Sequence, residues 1–363
     1  MKWNWQRKDW RNFRYSKETL AGLENRFLRE SGTLFGAFKH LDKPEQQSIK
    51  VDLISEEALK TSAIEGEYLD RESLQSSIRK HLGLQTRPKS VPAAERGIAE
   101  MMIHLYQNFS TALNDDTLHK WNQLLLSGRI GITDIGRYRT GREPMLIVSG
   151  PVHHPEVHFE APPAASVREE MRLFFEWFNA SKEVLPALAR AGMAHSWFVS
   201  IHPYEDGNGR IGRAISEKAM AQQLGQPTLI ALSRQIESNK MAYYAALASI
   251  NHTNDLTDWL LYFADTVLKA QALTSELVEF AIRKARFFDQ WKSTLNPRQE
   301  KVISRMFKEG PAGFKGGLSA ENYLSITKTS RATATRDLTN LVDKGIFKKT
   351  GSLKHTRYFL NLS

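Results

Sequence analysis

Apolar residues recur at the spacing of an α-helix along most of this chain, whereas the strict alternation of a β-strand is rare. Helices are predicted over residues 16–31, 45–81, 93–109, 117–126, 165–179, 185–201, 210–224, 239–250 and 256–292. Between the fourth and fifth of these, the stretch MLIVSGPVHHPEVHF combines a β-branched run, a Gly-Pro turn and an alternating return. This stretch predicts a small β-hairpin that ends at Pro162 and Pro163. The pattern is that of a mainly α protein.

The C-terminal part of the chain has a different pattern. Asn296, Ser319 and Ser330 are helix-start residues, and each precedes a short helical pattern. Two alternating segments follow, around Phe347 and around Tyr358. Three helices followed by a two-stranded wing are typical of a winged helix-turn-helix.

We predict three domains in the 363 residues, a length that suits two or three separate cores. An N-terminal helical domain covers 1–90 and ends where two prolines interrupt the pattern. A central domain covers 91–288, and the winged-helix domain covers 289–363.

The composition excludes several classes of protein. The chain has no cysteine, which rules out a disulfide framework, a thiolate metal site and a cysteine nucleophile. The first twenty residues lack the apolar run of a signal peptide, and no stretch approaches the roughly 20 apolar residues of a membrane span. We therefore expect a soluble cytoplasmic protein with no membrane partner.

The positive charge is concentrated at the C-terminal end. The formal net charge is +10, and residues 291–363 hold 14 Lys and Arg against 5 Asp and Glu. A compact basic segment with helical periodicity is a candidate nucleic-acid surface. Winged helices also serve as protein-docking and dimerisation modules, so DNA and protein partners both remain open, as does homodimerisation.

The segment His-Pro-Tyr-Glu-Asp-Gly-Asn-Gly-Arg-Ile-Gly-Arg, residues 202–213, has the residue types that nucleotide phosphate chemistry requires. His202 can take a proton from a hydroxyl, and Asp206 is a hard oxygen ligand suited to Mg²⁺. A Gly-Asn-Gly turn at a helix start lets backbone N–H groups converge on an anion. Arg210 and Arg213 share a helical face and can each bind phosphate oxygens.

Gly207, Gly209 and Gly212 also satisfy the G-x-G-x-x-G pattern of dinucleotide-binding folds. Neither a buried strand before the pattern nor a βαβ unit around it is present, so this interpretation fails its structural test. Three histidines near the hairpin, His153, His154 and His158, lack a carboxylate that would complete a metal site.

The segment 202–213 resembles the signature of the Fic family, HPFx[DE]GNGRxxR, at every fixed position except Tyr204, which stands for the usual Phe. The preceding Gly-Arg-Tyr-Arg, residues 136–139, and the hairpin resemble the family's approach to its target-binding flap. The resemblance implies a Fic-type helical core and transfer of AMP from ATP to a protein hydroxyl. ATP and Mg²⁺ are the implied substrate and cofactor.

The resemblance also implies a role for each residue. His202 would be the general base, and Asp206 would hold Mg²⁺ between the α and β phosphates. Arg213 would hold the γ-phosphate. The phosphates would lie on a cradle formed by Gly207, Asn208, Gly209 and Arg210. Three further residues resemble adenine-pocket positions, namely Tyr243, Tyr244 and Asn251.

Thr-Ser-Ala-Ile-Glu-Gly, residues 61–66, resembles the family's inhibitory motif [ST]xxxE[GN]. The resemblance implies that Glu65 competes with the γ-phosphate for Arg213. One carboxylate and one phosphate would then compete for one guanidinium.

Three alternatives stay open beside a self-inhibited AMP transferase. The chain could remove AMP from a modified target, or it could be a DNA-binding regulator whose Fic domain only senses nucleotide. It could also use a different donor, as family members that transfer phosphocholine, UMP or phosphate do. The target protein is unknown, and the chain itself is one candidate.

Overall fold

Helices dominate the chain, as the apolar periodicity predicts. The computed structural model describes residues 2–84, 90–149, 155–228, 230–311, 313–314 and 316–362. The N-terminal half contains α1 (Lys17–Lys39), α2 (Lys43–Ile64), α3 (Arg71–His81), α4 (Ala93–Gln107), α5 (Asp115–Leu125), β1 (Leu146–Ser149), β2 (Glu156–Glu160) and α6 (Ala164–Ala180). The remainder contains α7 (Ala187–Ile201), α8 (Asn208–Leu224), α9 (Leu232–Ser238), α10 (Lys240–Ser249), α11 (Thr257–Trp291), α12 (Pro297–Phe307), α13 (Ala320–Thr327), α14 (Arg331–Asp343), β3 (Phe347–Thr350) and β4 (Arg357–Leu360).

Two elements differ from the sequence-based prediction. The single helix predicted over 45–81 is two helices, because Gly66 takes a left-handed conformation (φ +81°) that ends α2. Asp70 then starts α3 by accepting a hydrogen bond from the Ser73 N–H at 2.8 Å. The helix α9 was not predicted, and its seven residues span too little chain for a clear period.

The described chain forms two compact units, one of residues 1–33 with 47–274 and one of 34–46 with 275–363. The predicted domain boundaries near residues 90 and 288 stay predictions. No helix of the described residues is long and apolar enough to cross a membrane.

The first unit is built around α7, which is buried on all sides. A helix can be enclosed in this way only if its neighbours approach closely, and small residues along α7 permit that approach. At Gly192, an added Cβ would lie 2.5 Å from Leu260 Cδ2, and the Gly192 carbonyl accepts from Trp259 Nε1 at 2.8 Å. The first half of α7 is therefore packed closely against the start of α11.

The predicted hairpin is present as β1 and β2, which pair antiparallel from Leu146 with Glu160 to Ser149 with Glu156. A bulge lies between Ile147 and Val148. The connecting residues 150–154, with His153 and His154, lie outside the described residues.

The second unit contains α12, α13, α14 and the antiparallel pair of β3 and β4. The three predicted helix-start residues act as caps: Asn296, Ser319 and Ser330 each accept a backbone N–H of the following helix. A mainly helical fold with small hairpins is confirmed, including the C-terminal one. The winged-helix assignment stays a prediction.

A substitution at Gly97 would test how closely α4 packs on α5. An added Cβ there would lie 1.9 Å from the Leu124 carbonyl oxygen, so we expect Gly97→Ala to destabilise the fold by about 1–3 kcal/mol or more. Gly22 is the matched control, since it is exposed on α1 with no atom within 4 Å of an added Cβ. Gly22→Ala should stabilise by about 0.5–1 kcal/mol. Urea unfolding followed by circular dichroism measures both, and equal midpoints for the two variants would contradict the predicted packing.

Candidate active site

The predicted signature loop joins the end of α7 to the start of α8. His202 follows α7 in a left-handed conformation (φ +49°), and its N–H donates to the Phe198 carbonyl at 3.0 Å. Gly207 (φ +90°) precedes α8. A left-handed residue other than glycine costs about 1–3 kcal/mol, so the surroundings must enforce it at His202.

Arg139 holds the loop at this point. Its Nε donates to the His202 carbonyl at 2.7 Å, and its backbone N–H donates to the Pro203 carbonyl at 3.0 Å. Its Nη2 donates to the carbonyls of Ile201, at 3.4 Å, and of Pro162. Since Pro162 follows β2, one buried guanidinium ties the base of the hairpin to the loop of the candidate base. Burial lowers the pKa of Arg139 to about 10, so it stays a cation at neutral pH.

The His202 imidazole is half-buried, with Nδ1 3.3 Å from the Val199 carbonyl oxygen. Burial lowers its pKa to about 4; the Val199 carbonyl opposes this shift, and the charge of Arg139 adds to it. The ring is therefore neutral at pH 7. We assign the proton to Nδ1 from its contact with the carbonyl, which leaves Nε2 able to accept a proton.

Two buried asparagines fix the rest of the loop. Asn208 accepts from the Tyr204 N–H at 3.0 Å and donates to the Tyr204 carbonyl at 2.8 Å. Asn122 donates to the Asp206 carbonyl at 2.9 Å and accepts from the Gly136 N–H at 2.8 Å. The Tyr204 ring is fully buried, and its hydroxyl lies 2.9 Å from His119 Nδ1, so the extra oxygen relative to Phe has a partner.

Asp206 presents its carboxylate at the open side of the loop. The side chain is 45% exposed, and Oδ1 accepts from the Gly207 N–H at 2.5 Å. Arg210 reaches the same carboxylate only at 3.4–3.5 Å. Among the described residues, the second oxygen, Oδ2, accepts only this long contact at 3.4 Å and can therefore also bind a hard cation.

Arg213, on α8, is buried against the end of α2. Its Nε donates to Thr61 Oγ1 at 2.7 Å, and its Nη2 donates to the Thr61 carbonyl at 2.9 Å. Nη2 also donates to Glu65 Oε1 at 2.8 Å, which makes an ion pair with Arg213 only 1% exposed. The predicted inhibitory residue and the second signature arginine are thus in direct contact.

Gly209 makes room for this contact. An added Cβ at Gly209 would lie 2.1 Å from Glu65 Oε1, so the carboxylate rests against the first turn of α8. The positive end of that helix favours an anion at this place.

Sequence reasoning missed a second carboxylate, Glu67. It pairs with Arg210 Nη1 at 2.7 Å through Oε2 and with Arg129 Nη2 at 2.7 Å through Oε1. The only sequence signal for Glu67 is its position two residues after Glu65. Both signature arginines are therefore paired with carboxylates from the segment that follows α2.

The three adenine-pocket candidates lie in different surroundings. Tyr243 is buried, and its hydroxyl lies 2.7 Å from His195 Nε2. Tyr244 is 42% exposed and donates to the Ile64 carbonyl at 3.4 Å, next to Glu65. Asn251 donates to the His158 carbonyl of β2 at 2.9 Å. The structure thus brings Tyr244 to the end of α2 and Asn251 to the hairpin, and the adenine roles stay predictions.

The N-terminal segment contributes contacts that the sequence did not reveal. The Asn4 N–H donates to the Asn251 carbonyl at 2.7 Å, and Trp5 Nε1 donates to the Glu160 carbonyl at 2.6 Å. Trp3 stacks on His252 at 4.7 Å between ring centroids. The clustered tryptophans of the sequence were the available signal. They hold the end of the hairpin and the turn after α10.

Two further carboxyl groups are buried where α2 meets α8. Both Glu57 and Glu217 are 2% exposed, and Glu57 accepts from the Ser233 N–H at 2.7 Å. Burial raises the pKa of Glu57 to about 7, and burial together with the charge of Glu57 raises the pKa of Glu217 well above its usual range. Burial therefore favours the neutral form of Glu217.

Part of the chain that includes the site is similar to a known family. Residues 112–220 match the Fic/DOC family, and this match ends within the helix that bears Arg210 and Arg213. The matched region includes the loop of residues 202–207 and the start of α8. Residues 3–84, ahead of this region, match a domain of unknown function, DUF4172.

The chain is distantly similar to two curated relatives. The chain is 30% identical over 148 residues to the protein adenylyltransferase fic-1 of Caenorhabditis elegans, across 40% of this chain and 28% of that protein. It is 30% identical over 99 residues to the protein of the same name from Caenorhabditis briggsae, across 27% of this chain and 18% of that protein. The matches span less than a third of either relative.

Solved structures share the fold. A Fic family protein from Desulfovibrio desulfuricans G20 has a TM-score of 0.51 and 20% identity, covering 93% of this chain and 96% of that chain. Fic-1 from C. elegans has a TM-score of 0.54 and 21% identity, covering 74% and 75%. The predicted Fic-type helical fold is confirmed.

Arg139 provides a test of what keeps His202 neutral. Replacing it by glutamine removes a nearby cation, so we expect the pKa of His202 to rise from about 4, while burial still holds it below 6.5. Arg139→Lys keeps the charge and should leave the pKa lower than in the glutamine variant. NMR titration of the histidine ring signals between pH 3.5 and 8 measures the shift. Identical titration curves for the two variants would show that the charge of Arg139 has no effect.

Proposed function

We propose that this chain transfers AMP from ATP to a hydroxyl side chain of a protein and that Glu65 holds it in an inhibited state. The observation that carries the proposal is the contact of Arg213 with Glu65 at 2.8 Å in a signature loop whose candidate base is neutral. A phosphate-binding arginine already paired with a carboxylate of the same chain is the arrangement that self-inhibition requires.

His202 supplies the base for the transfer. The attacking hydroxyl oxygen forms a bond to the α-phosphorus of ATP, the bond from that phosphorus to the bridging oxygen of the β-phosphate breaks, and pyrophosphate leaves. The hydroxyl proton passes to Nε2 of His202, which is unprotonated at neutral pH. Arg139 keeps the ring in position through its hydrogen bonds to the carbonyls of Ile201, His202 and Pro203.

The phosphates have a binding site of the expected chemistry. The backbone N–H groups from Gly207 to Gly209 lie at the start of α8, where the helix dipole favours negative charge. Arg210 and Arg213 extend from the same helix. Phosphoryl-type transfer depends on positioning and charge neutralisation, and these groups supply both.

Mg²⁺ fits the carboxylate of Asp206. The described residues contain no cluster of three or more His, Asp or Glu side chains that could hold a metal by themselves. Mg²⁺ usually binds through one or two carboxylates together with substrate phosphates, which matches one half-exposed carboxylate beside the phosphate cradle. When bound there, it would neutralise phosphate charge.

The hairpin is the proposed site for the target protein. Its strands form a two-stranded sheet on which Leu146, Val148 and Val157 are exposed. The carbonyls of His158 and Glu160 on β2 already accept from Asn251 and Trp5, so among the described residues β1 offers the edge for a further strand. A target segment could add a strand at such an edge, which recognises backbone more than sequence. The target therefore stays unnamed, and the chain itself remains one of the candidates.

Transfer of label tests the proposal. We expect α-labelled ATP with Mg²⁺ to label protein weakly with wild type and strongly with Glu65→Gly, because the variant frees Arg213. A charge-assisted hydrogen bond is worth about 1.5–3 kcal/mol, so the increase should be roughly 10- to 150-fold. Adding His202→Ala to Glu65→Gly should abolish labelling, whereas His81→Ala, a histidine of α3, should not. Mass spectrometry locates the modified residue.

The other candidate activities give different results in the same experiment. Equal labelling by wild type and Glu65→Gly would refute the brake. Bound ATP without labelling in any variant would favour a nucleotide sensor. Loss of label from a previously modified protein on adding wild type would favour AMP removal.

A further inference from the structure

One face of α14 is exposed and carries cations and short hydrogen-bonding side chains. The buried side consists of Ala334, Leu338 and Leu341, which pack in the core of the second unit. The exposed positions are Arg331, Ala332, Thr335, Arg336, Thr339 and Asn340. We propose that this face binds duplex DNA, with α14 in the major groove and the strand β3 against the phosphate backbone.

The connection of α13 to α14 supports this placement. Three residues, Lys328 to Ser330, join the two helices, and Lys328 is left-handed (φ +56°), which turns the chain sharply. Ser330 then caps α14. Two helices on a turn of three or four residues, the second one exposed, form the arrangement that inserts a helix into a major groove.

Two acidic residues leave the arginines of α14 unpaired: Asp337 faces the core, and Glu321 lies near Arg331 but not within ion-pair distance. A hydrogen bond from its own backbone lowers the pKa of Glu321, and the charge of Arg331 adds to this shift. Asp337 is 6% exposed, and its Oδ2 accepts hydrogen bonds from Arg298 Nε at 2.8 Å and from the Tyr323 hydroxyl at 2.9 Å. Its charge is therefore paired inside the second unit. Among the described residues, no carboxylate lies within ion-pair distance of Arg331 or Arg336. The Arg336 guanidinium makes a contact at 3.5 Å with Thr333 of its own helix. Both guanidinium groups are therefore available to phosphate or to base edges.

The strand pair of β3 and β4 adds positive charge beside α14. Lys348, Lys349 and Thr350 are exposed on β3, which begins four residues after α14 ends. Residues 291–363 carry a net charge of +9 out of +10 for the whole chain. If the partner were a protein, we would expect apolar residues at the centre of the exposed face of α14. The arginine, threonine and asparagine found there instead suit DNA, whose phosphates are anionic and whose base edges donate and accept hydrogen bonds.

Binding of the full chain to a fluorescent 30-base-pair duplex of mixed sequence tests the proposal. We expect affinity to fall steeply between 50 and 200 mM KCl, because each phosphate contact contributes roughly −0.9 to the slope of log K against log salt. Arg331→Ala with Arg336→Ala should weaken binding and reduce the slope by roughly 2. Arg26→Ala with Lys269→Ala, which removes the same charge from exposed sites on α1 and α11, should leave the slope unchanged.

Three results would overturn the proposal. One is no duplex binding by wild type at 50 mM KCl. Another is binding that the α14 variant and the control change equally. The third is a variant that alters the sedimentation mass of the protein but not its DNA affinity, since the face would then be a protein interface. Thermal unfolding verifies that the exposed substitutions leave the fold intact.

A separate observation carries a second inference, which rests on the proposed binding of ATP. Glu67 lies between Arg210 and Arg129, at 2.7 Å from each, with its side chain 16% exposed. Arg210 is 2% exposed, and its Nε has no hydrogen-bond partner among the described residues. We infer that Glu67 is a second competing anion, which occupies Arg210 where the α and β phosphates would bind.

The same chain reversal delivers both carboxylates. Glu67 donates its N–H to the Ser62 carbonyl at 3.0 Å, and Gly66 turns the chain in a left-handed conformation. Glu65 and Glu67 therefore flank one glycine, and each pairs with a different signature arginine. A nucleotide that binds with all its phosphates must displace two carboxylates rather than one.

ADP separates the two carboxylates, because it lacks the γ-phosphate for which Glu65 competes. We expect Glu67→Gln to tighten ADP binding roughly tenfold, as loss of one charge-assisted pair predicts, and Glu65→Gly to change it less than twofold. Glu56→Gln is the matched control: Glu56 is also on the α2 side of the site, is 14% exposed and contacts two arginines, Arg71 and Arg234. It should leave ADP affinity unchanged.

Isothermal titration with ADP and Mg²⁺ gives these affinities without any transfer reaction. Glu67→Ala serves as a second variant, because glutamine can still accept from Arg210. Unchanged or weaker ADP binding in both Glu67 variants would overturn the inference while leaving the proposed function standing. No binding of ADP or ATP by any variant would overturn the proposed function as well.

Discussion

The ion pair between Glu65 and Arg213 is the contact on which the arrangement of the site depends. A guanidinium that is almost fully buried needs an acceptor for its donors, since an unpaired buried charge is costly. Thr61, in the last turn of α2, and Glu65, directly after α2, provide acceptors for Nε and Nη2. The helix that bears the signature is therefore stabilised by a helix from another part of the sequence. An anion that replaced Glu65 at Arg213 would have to satisfy the same donor, which is what a phosphate oxygen does.

Three left-handed residues bring the chemical groups together. Gly66 ends α2, His202 follows α7, and Gly207 precedes α8. Glycine adopts this conformation without strain, whereas His202 is held there by the hydrogen bonds of Arg139 to neighbouring carbonyls. The backbone strain at His202 therefore has a structural cause, and Arg139 both positions the ring and helps to keep it unprotonated.

The signature loop could be predicted because its residues are contiguous and each one has a chemical reason to be there. Glu67 could not, because its pairing with Arg210 joins positions 143 apart and depends on the fold. Arg139 and Asn4 act on backbone carbonyls, which have no sequence signature. The break after α2 was missed because apolar spacing continues on both sides of a single glycine. The roles of the site residues remain predictions that the geometry makes testable.

Since Glu65 and Arg213 belong to one polypeptide, their association is intramolecular. Its strength is set by an effective concentration, which the length and path of the intervening chain determine and which dilution of the protein does not change. A ligand anion in solution competes against this fixed value, so the occupied fraction follows the ligand concentration alone. The balance between the carboxylate and a phosphate at Arg213 would then be the same at low and at high abundance of the protein.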